Sequence, residues 1–395
     1  MRRISVMNLT SQRITASLHN LFIGDALSMP VHWFYRTSDI IRFFPPNGIS
    51  KMEAAPHVHP SSIMSLHSTE VGGRKRSKPS HTAKFQSDVK NQYNLQGEVV
   101  GDIILKGKRD LWGESCKHYH NGLLAGDNTL NACCARLMVR HLVDNHGYNK
   151  KQWLEDYIRF MTQEPAQHPD TYAESYHRSF FANLKNGKAP DKCGASTHDT
   201  PSIGALVSVA PLAFAMFKNH TLEHTQSVCC EHVHLTHPDS DLMKVVCAYV
   251  ELLHALLYAE AEHQSQENIT EAQHSLVVGC VGKAVQVIPG TKLNELLHQK
   301  NGDSAVVGGR YSTACYITDS WPAVCYLTAK YYATPGKAML INTNLGGENA
   351  HRGSVLGTLV GLGSDSSDAP LFEQLKHREA IAHEVEQFVD MFGSQ

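Results

Sequence analysis

The chain has 395 residues, of which 42% are apolar, 8% aromatic and 19% charged. That composition is globular and excludes the apolar-poor range of disordered chains. Lys plus Arg, 36, nearly balance Asp plus Glu, 38, and the net charge of −2 speaks against a nucleic-acid or anionic-membrane partner. The 25 histidines are the unusual number: protonating all of them would carry the charge from −2 to +23, so surface charge depends on pH near neutrality.

Ten cysteines in this length are too sparse for a disulfide scaffold, and Cys133-Cys134, Cys229-Cys230 and the singles include no Cys-x-x-Cys pair. They read as reduced core thiols of a cytoplasmic protein. The start, Met1 through Arg2 and Arg3, lacks the apolar stretch of a secretory signal. No apolar run reaches the roughly 18 residues a membrane span needs.

Helical periodicity dominates. In chain order it predicts helices over Ile14–Leu27, Leu130–Leu142, Trp153–Met161, Tyr172–Leu184, Ile203–Phe217, Leu242–Leu257, Leu276–Val287, Trp321–Tyr331 and Ile381–Phe392. Alternating patterns are scarce, and Val99–Leu105 is the best candidate strand. The expectation is an all-α fold, a single compact multi-helix domain over 1–395 with a long loop insertion. That insertion, Pro45–His120, is rich in His, Ser, Gly, Lys and Pro, and so long a loop is usually disordered or part of the site. Its basic run Arg74-Lys75-Arg76-Ser77-Lys78 reads as a solvated tip or a phosphate grip.

Four polar islands abut apolar helices. Gly24-Asp25-Ala26-Leu27-Ser28-Met29-Pro30-Val31-His32-Trp33 puts an Asp inside a helical pattern that ends at Pro30. Gly126-Asp127-Asn128-Thr129 precedes the Leu130 helix, where one polar residue is expected as an N-cap and the second is left over. Gly346-Gly347-Glu348-Asn349-Ala350-His351-Arg352-Gly353 leads into Gly353, Gly357 and Gly361, spaced four apart. Glycine costs about 1 kcal/mol per helical position relative to Ala, so three on one face imply a second backbone packed against them. The fourth island is diffuse: Ser196-Thr197-His198-Asp199-Thr200-Pro201-Ser202, then His232 to Pro238. His232, His234 and His237, or His118 and His120, lack Cys or carboxylate partners at zinc spacing. The chain contains no P-loop, dinucleotide fingerprint, His-Glu-x-x-His or nucleophile elbow.

Taken in order, these islands resemble the ADP-ribosylglycohydrolase family, and within it the crystallin-like branch. The family signature Gly-Asp-Ala-Leu-x-x-Pro is matched by Gly24 to Pro30, and its Thr-Asp-Asp-Thr metal motif by Gly126-Asp127-Asn128-Thr129. Its Asn-x-Gly-Gly-Asp-x-Asp-Thr motif is matched by Asn344-Leu345-Gly346-Gly347-Glu348-Asn349-Ala350-His351. Loops at Ser202-Ile203-Gly204 and Thr236-His237 are similar to the family's ribose-binding stretches. The likeness runs from about Ile14 to Leu362 and covers Pro45–His120 poorly.

The resemblance implies an all-α domain whose cleft holds Mg²⁺ and cleaves an N- or O-glycosidic bond at a ribose anomeric carbon. The expected partner is an ADP-ribosylated or related small-molecule substrate. Asp127, Glu348 and His351 are the expected catalytic residues, and Asp127, Asn128 and Glu348 the expected metal ligands. Asp25, His32, Trp33, His118, His120, Ser196, His198, Ser202, Gly204, His237, Asn344, Gly346 and Gly347 would line the substrate site, with Trp33 and Tyr316 as stacking surfaces. The departures thin the metal motifs: of four ligand carboxylates only Asp127 and Glu348 remain, and hard dications want anionic oxygens. Three readings stay open: a one-metal hydrolase, a metal-free hydrolase using Glu348 and His351, and a non-catalytic crystallin-like or ADP-ribose-binding relative.

Overall fold

The computed structural model describes residues 8–62, 99–113, 116–197, 199–259 and 266–393, with backbone alone for 266–270. His198 and the basic run 74–78 therefore lie outside the described residues. In chain order the α-helices are α1 (Leu9–Ser28), α2 (Thr37–Phe43), α3 (Leu130–Asp144), α4 (Lys150–Thr162), α5 (Ser175–Lys185), α6 (Val209–Phe217), α7 (Leu222–His234) and α8 (Ser240–Leu257). They continue as α9 (Gln266–Ala284), α10 (Leu293–Leu297), α11 (Asp303–Val306), α12 (Ile317–Tyr331), α13 (Pro335–Leu345), α14 (Asn349–Ser364), α15 (Ala369–Phe372) and α16 (Arg378–Phe392). Among the described residues there are isolated β-bridges but no strand, so the fold is all-α.

The glycine stripe sets the centre of the bundle. Added Cβ atoms on Gly353, Gly357 and Gly361 would overlap the backbone of Gly24, Asn20 and Ala16 on α1. Side chains are thus excluded from the seam between α1 and α14, and both helices are buried on nearly every face. Their polar residues are satisfied across the seam, as when Ser17 Oγ donates to the Thr358 carbonyl at 3.0 Å. Around this pair pack amphipathic helices of ordinary kind. In α8 the apolar face Leu242, Val245, Val246, Tyr249, Leu252, Leu253, Leu256 and Leu257 is buried, as its 3.6-residue spacing predicts.

Three expectations need correction. Val99–Leu105 is a turn: Gly101 adopts φ +88° and the chain folds back so that Val100 and Ile104 bridge each other. With no neighbouring strand to accept it, that apolar run cannot propagate as a sheet. The stretch Ile203–Phe217 splits into a 3₁₀ turn, Ile203–Leu206, and α6 starting at Val209. Pro211 falls in the first turn of α6, where its missing N–H costs nothing. The Tyr172 helix begins at Ser175, which leaves residues 170–174 in a loop.

The described parts of Pro45–His120 fold against the bundle rather than away from it. His59, Trp112, His118, Tyr119 and His120 are all buried. Asn344 binds this segment at its start: its Oδ1 accepts from the Ile49 amide and its Nδ2 donates to the Ile49 carbonyl, both at 2.8 Å. No described helix is long and apolar enough to cross a membrane.

Candidate active site

The chain's polar islands meet where the N-termini of α3, α5 and α14 approach the C-terminal end of α1. Converging helix N-termini favour negative charge between them. Gly346 and Gly347 make the turn before α14 with φ of +69° and +67°, a region open to glycine at little cost. The Gly347 amide donates to the Phe34 carbonyl at 2.8 Å, and the Trp33 amide to the Gly347 carbonyl at 2.7 Å. This clasp brings His32 and Trp33 onto Glu348. Trp33 takes φ +62°, a strained value for a bulky residue.

Glu348 is fully buried and surrounded by donors. His32 Nε2 lies 2.8 Å from Oε1, and Trp33 Nε1 donates to Oε2 at 2.6 Å. His351 Nδ1 is also 2.8 Å from Oε1 and 3.6 Å from Glu174 Oε1. Burial alone pushes the Glu348 carboxyl up, but His351 and then His32 hold it well below the usual carboxylate range. Conversely, burial pulls His351 down while Glu348, Glu174 and Asp25 hold it at about 10. His351 is therefore a cation at neutral pH and a poor base. Burial lowers His32 to about 3, so it is neutral.

A second carboxylate faces the same imidazole. Glu174 precedes α5 in extended conformation without capping it. Its Oε2 accepts from Asn131 Nδ2 at 2.8 Å. Burial and then the Glu348 charge raise its carboxyl to about 6, against the opposing pull of His351. Behind His32 runs a chain of contacts: His32 Nδ1 to His120 Nε2 at 2.8 Å, and His120 Nδ1 to Asp170 Oδ1 at 2.8 Å. Asp170 Oδ2 in turn accepts from the Leu130 amide at 2.7 Å, so α3 is capped by a residue forty positions away. A void of about 10 Å³, room for one water, is lined by His32, His120, Thr129, Asn131, Asp170, Glu174 and His351.

Of the residues expected from sequence, Glu348, His351, His32, Trp33, His120 and Gly204 come together here. A Cβ on Gly204 would lie 2.8 Å from Glu174 Oε2 and 3.3 Å from His351 Nδ1. Asp25 stands one step back, its Oδ1 accepting from Thr129 Oγ1 at 2.6 Å and its Oδ2 from the Thr129 amide at 2.8 Å. Burial raises its carboxyl.

Others are engaged elsewhere. Asp127 Oδ2 accepts from the Leu124 amide at 2.9 Å and from Lys376 Nζ at 3.1 Å, with His377 Nε2 3.5 Å from Oδ1. Asn128 donates its amide to the Phe22 carbonyl and to Asp25 Oδ2, both at 2.9 Å. His118 is a core histidine held by the Pro30 carbonyl at 3.1 Å. Ser202 bridges Tyr316 on a neighbouring loop, and Ser196 is half-buried before it. His237 faces a separate cavity and packs at a tilt against Tyr176, with ring centroids 4.0 Å apart. Asn344 is the clasp on Ile49 already described.

Glu174, Asp170 and Asn131 escape the sequence reading. The signal for the first two was the acidic pair four residues apart in Asp170-Thr171-Tyr172-Ala173-Glu174, hidden because Tyr172 reads as the start of the helix.

The sequence model of the ADP-ribosylglycohydrolase family matches residues 7–395. The chain belongs to the ADP-ribosylglycohydrolase family. Among curated proteins none matches. A solved structure described as an "ADP-ribosylglycohydrolase-related protein complex" is similar over 97% of this chain and 98% of that chain, with a TM-score of 0.59 and 16% identity. At that identity the likeness speaks for the fold. This ADP-ribosylglycohydrolase-family chain thus keeps the helical frame while presenting an unusual site, in which the buried Glu348 and His351 stand beside Glu174 and His32.

Proposed function

We propose that the chain hydrolyses the glycosidic bond at the ribose anomeric carbon of an ADP-ribosyl adduct or a related nucleotide-ribose. The observation that carries this reading is the pairing of Glu174 and Glu348 on either side of the His351 cation, next to a water-sized void. Departure of the leaving group builds positive charge on the ribose ring, which fixed carboxylates stabilise. Glu348, kept ionised by its neighbours, supplies that field. Glu174, with its carboxyl at about 6, is suited to take a proton from water as the water oxygen adds to the anomeric carbon. The bond from the anomeric carbon to the heteroatom breaks as the water adds, and the heteroatom leaves with that electron pair and takes up a proton equivalent to the one Glu174 removed. His351 orients both carboxylates, and Gly204, which bears no Cβ, leaves room for Glu174 and His351 to stand side by side.

A pair of Mg²⁺ ions does not fit these residues. Mg²⁺ wants an octahedron of oxygens. Here Asp127 is paired with Lys376, Asn128 is spent on Phe22 and Asp25, and an imidazole rather than an oxygen ligand stands between the glutamates. No step is therefore routed through Mg²⁺.

The test is release of free ADP-ribose from Arg- and Ser-linked ADP-ribosyl peptides and from nucleotide-riboses, comparing the full chain with Glu174→Gln. Turnover lost in Glu174→Gln with a native melting curve supports the reading. No turnover and no ADP-ribose binding by the full chain overturns it. One observation favours the alternative, a crystallin-like or ADP-ribose-binding protein without turnover. The void beside Glu174 has room for about one water and none for a ribose.

A further inference from the structure

We propose that His32 Nε2, Glu348 Oε1 and His351 Nδ1 form a binding site for a single zinc-class transition-metal ion, distinct in chemistry from an oxygen-ligated Mg²⁺ site. The three ligand atoms lie within 4.8 Å of one another on three buried residues. Two imidazole nitrogens and one carboxylate oxygen are a donor set suited to Zn²⁺, Co²⁺ or Ni²⁺ and poorly suited to Mg²⁺. Three protein ligands also leave a fourth position open, as hydrolytic zinc sites do.

Independent features of the geometry point to a cation. His351 Nδ1 is buried and 2.8 Å from Glu348 Oε1, yet it is not aligned for a hydrogen bond to any partner. The proton that His351 carries here would leave as the ion binds, and a ring nitrogen aimed past an oxygen at that distance then becomes one of two ligands of one ion. Ligand atoms about 2.0–2.2 Å from a tetrahedral ion stand roughly 3.3 Å apart, so each 2.8 Å contact needs to open by only about half an ångström.

The groups behind the ligands are also those a metal site uses. His32 is backed by His120 and then Asp170, and Glu348 Oε2 accepts the Trp33 indole N–H.

This deepens the proposed hydrolase site, because an ion there would hold a water beside Glu174. It is read without turnover, so the two readings fail separately. The experiment is titration of the chelator-stripped full chain with Zn²⁺ and with Co²⁺, followed by calorimetry and by the visible d–d bands of Co²⁺. Expected is one ion per chain, four-coordinate Co²⁺ bands, and no displacement by millimolar Mg²⁺. His32→Gln and His351→Gln should abolish the bands, while His234→Gln, at an exposed histidine, should leave them. If the ligand variants fail to fold, His120→Gln is the second test, since it leaves all three ligands in place. Loss of an outer-shell partner weakens metal binding about 10–100-fold. Absence of the bands in the full chain overturns the proposal. So does their persistence in both ligand variants, or in His120→Gln at unchanged affinity.

Discussion

Gly24 and Gly353 face each other across the α1–α14 seam so closely that a methyl group on either would overlap the other's carbonyl oxygen. Neither clash is with a flexible side-chain tip, so no rotamer change relieves it. Because Asp25 and His351 sit within two residues of this contact, the seam also sets the site's geometry.

Gly353→Ala should therefore destabilise the fold by at least the 1–3 kcal/mol typical of overpacking. Urea unfolding of Gly353→Ala and Gly24→Ala should show lower midpoints at unchanged m-value, and wild-type midpoints would contradict the seam.

Gly204→Ala should behave differently. A Cβ there meets Glu174 Oε2, Asn131 Nδ2 and His351 Nδ1 at 2.8, 3.0 and 3.3 Å, all side-chain ends that can shift. Stability should stay near wild type while turnover falls. Displacing reacting groups by about 1 Å costs on the order of 10²-fold. Steady-state kinetics alongside a melting curve separates the two effects.

Glu348→Gln is expected to lose turnover and stability together. Glu348 is the principal partner of a buried His351 cation. Removing one member of a buried pair costs about 3–5 kcal/mol. Glu174→Gln is the cleaner catalytic test, because a glutamine oxygen can still accept from Asn131. Asp127→Asn should leave turnover near wild type, since its carboxylate serves Lys376, His377 and the Leu124 amide.

The fold should be labile to acid. Burial lowers His19, His59 and His168 to about 4, and His232 and His237 to about 3. Unfolded, each takes up a proton near pH 6.5, which the folded chain refuses. Stability should therefore fall as pH drops from about 6.5 towards 4, by up to about 1.4 kcal/mol per pH unit for each group. His351 has the opposite sign: its pKa is raised, so its contribution is complete below about 6.5 and fades as pH rises towards 10. Melting temperature against pH should peak near neutrality, with a steep acid limb. A flat profile between pH 7 and 5 would contradict the neutral buried histidines.

The sequence by itself determined the helical frame. Helix burial depends on a local period, so the apolar face of α8 and the close-packed stripe of α14 are written into consecutive residues. It also located Glu348, His351, His32 and His120, because polar groups beside apolar helices are conspicuous. Only the tertiary structure decided their company and their charge. The Asp127 carboxylate was claimed by Lys376 from the far end of the chain, and the cap of α3 came from Asp170. Glu174 entered the site from a loop that periodicity assigned to a helix. Protonation followed from that company: His32 is neutral and His351 cationic although both touch Glu348, because Glu174 and Asp25 add their fields at His351 alone. Electrostatic energies depend on distances and burial, and neither is encoded by position along the chain.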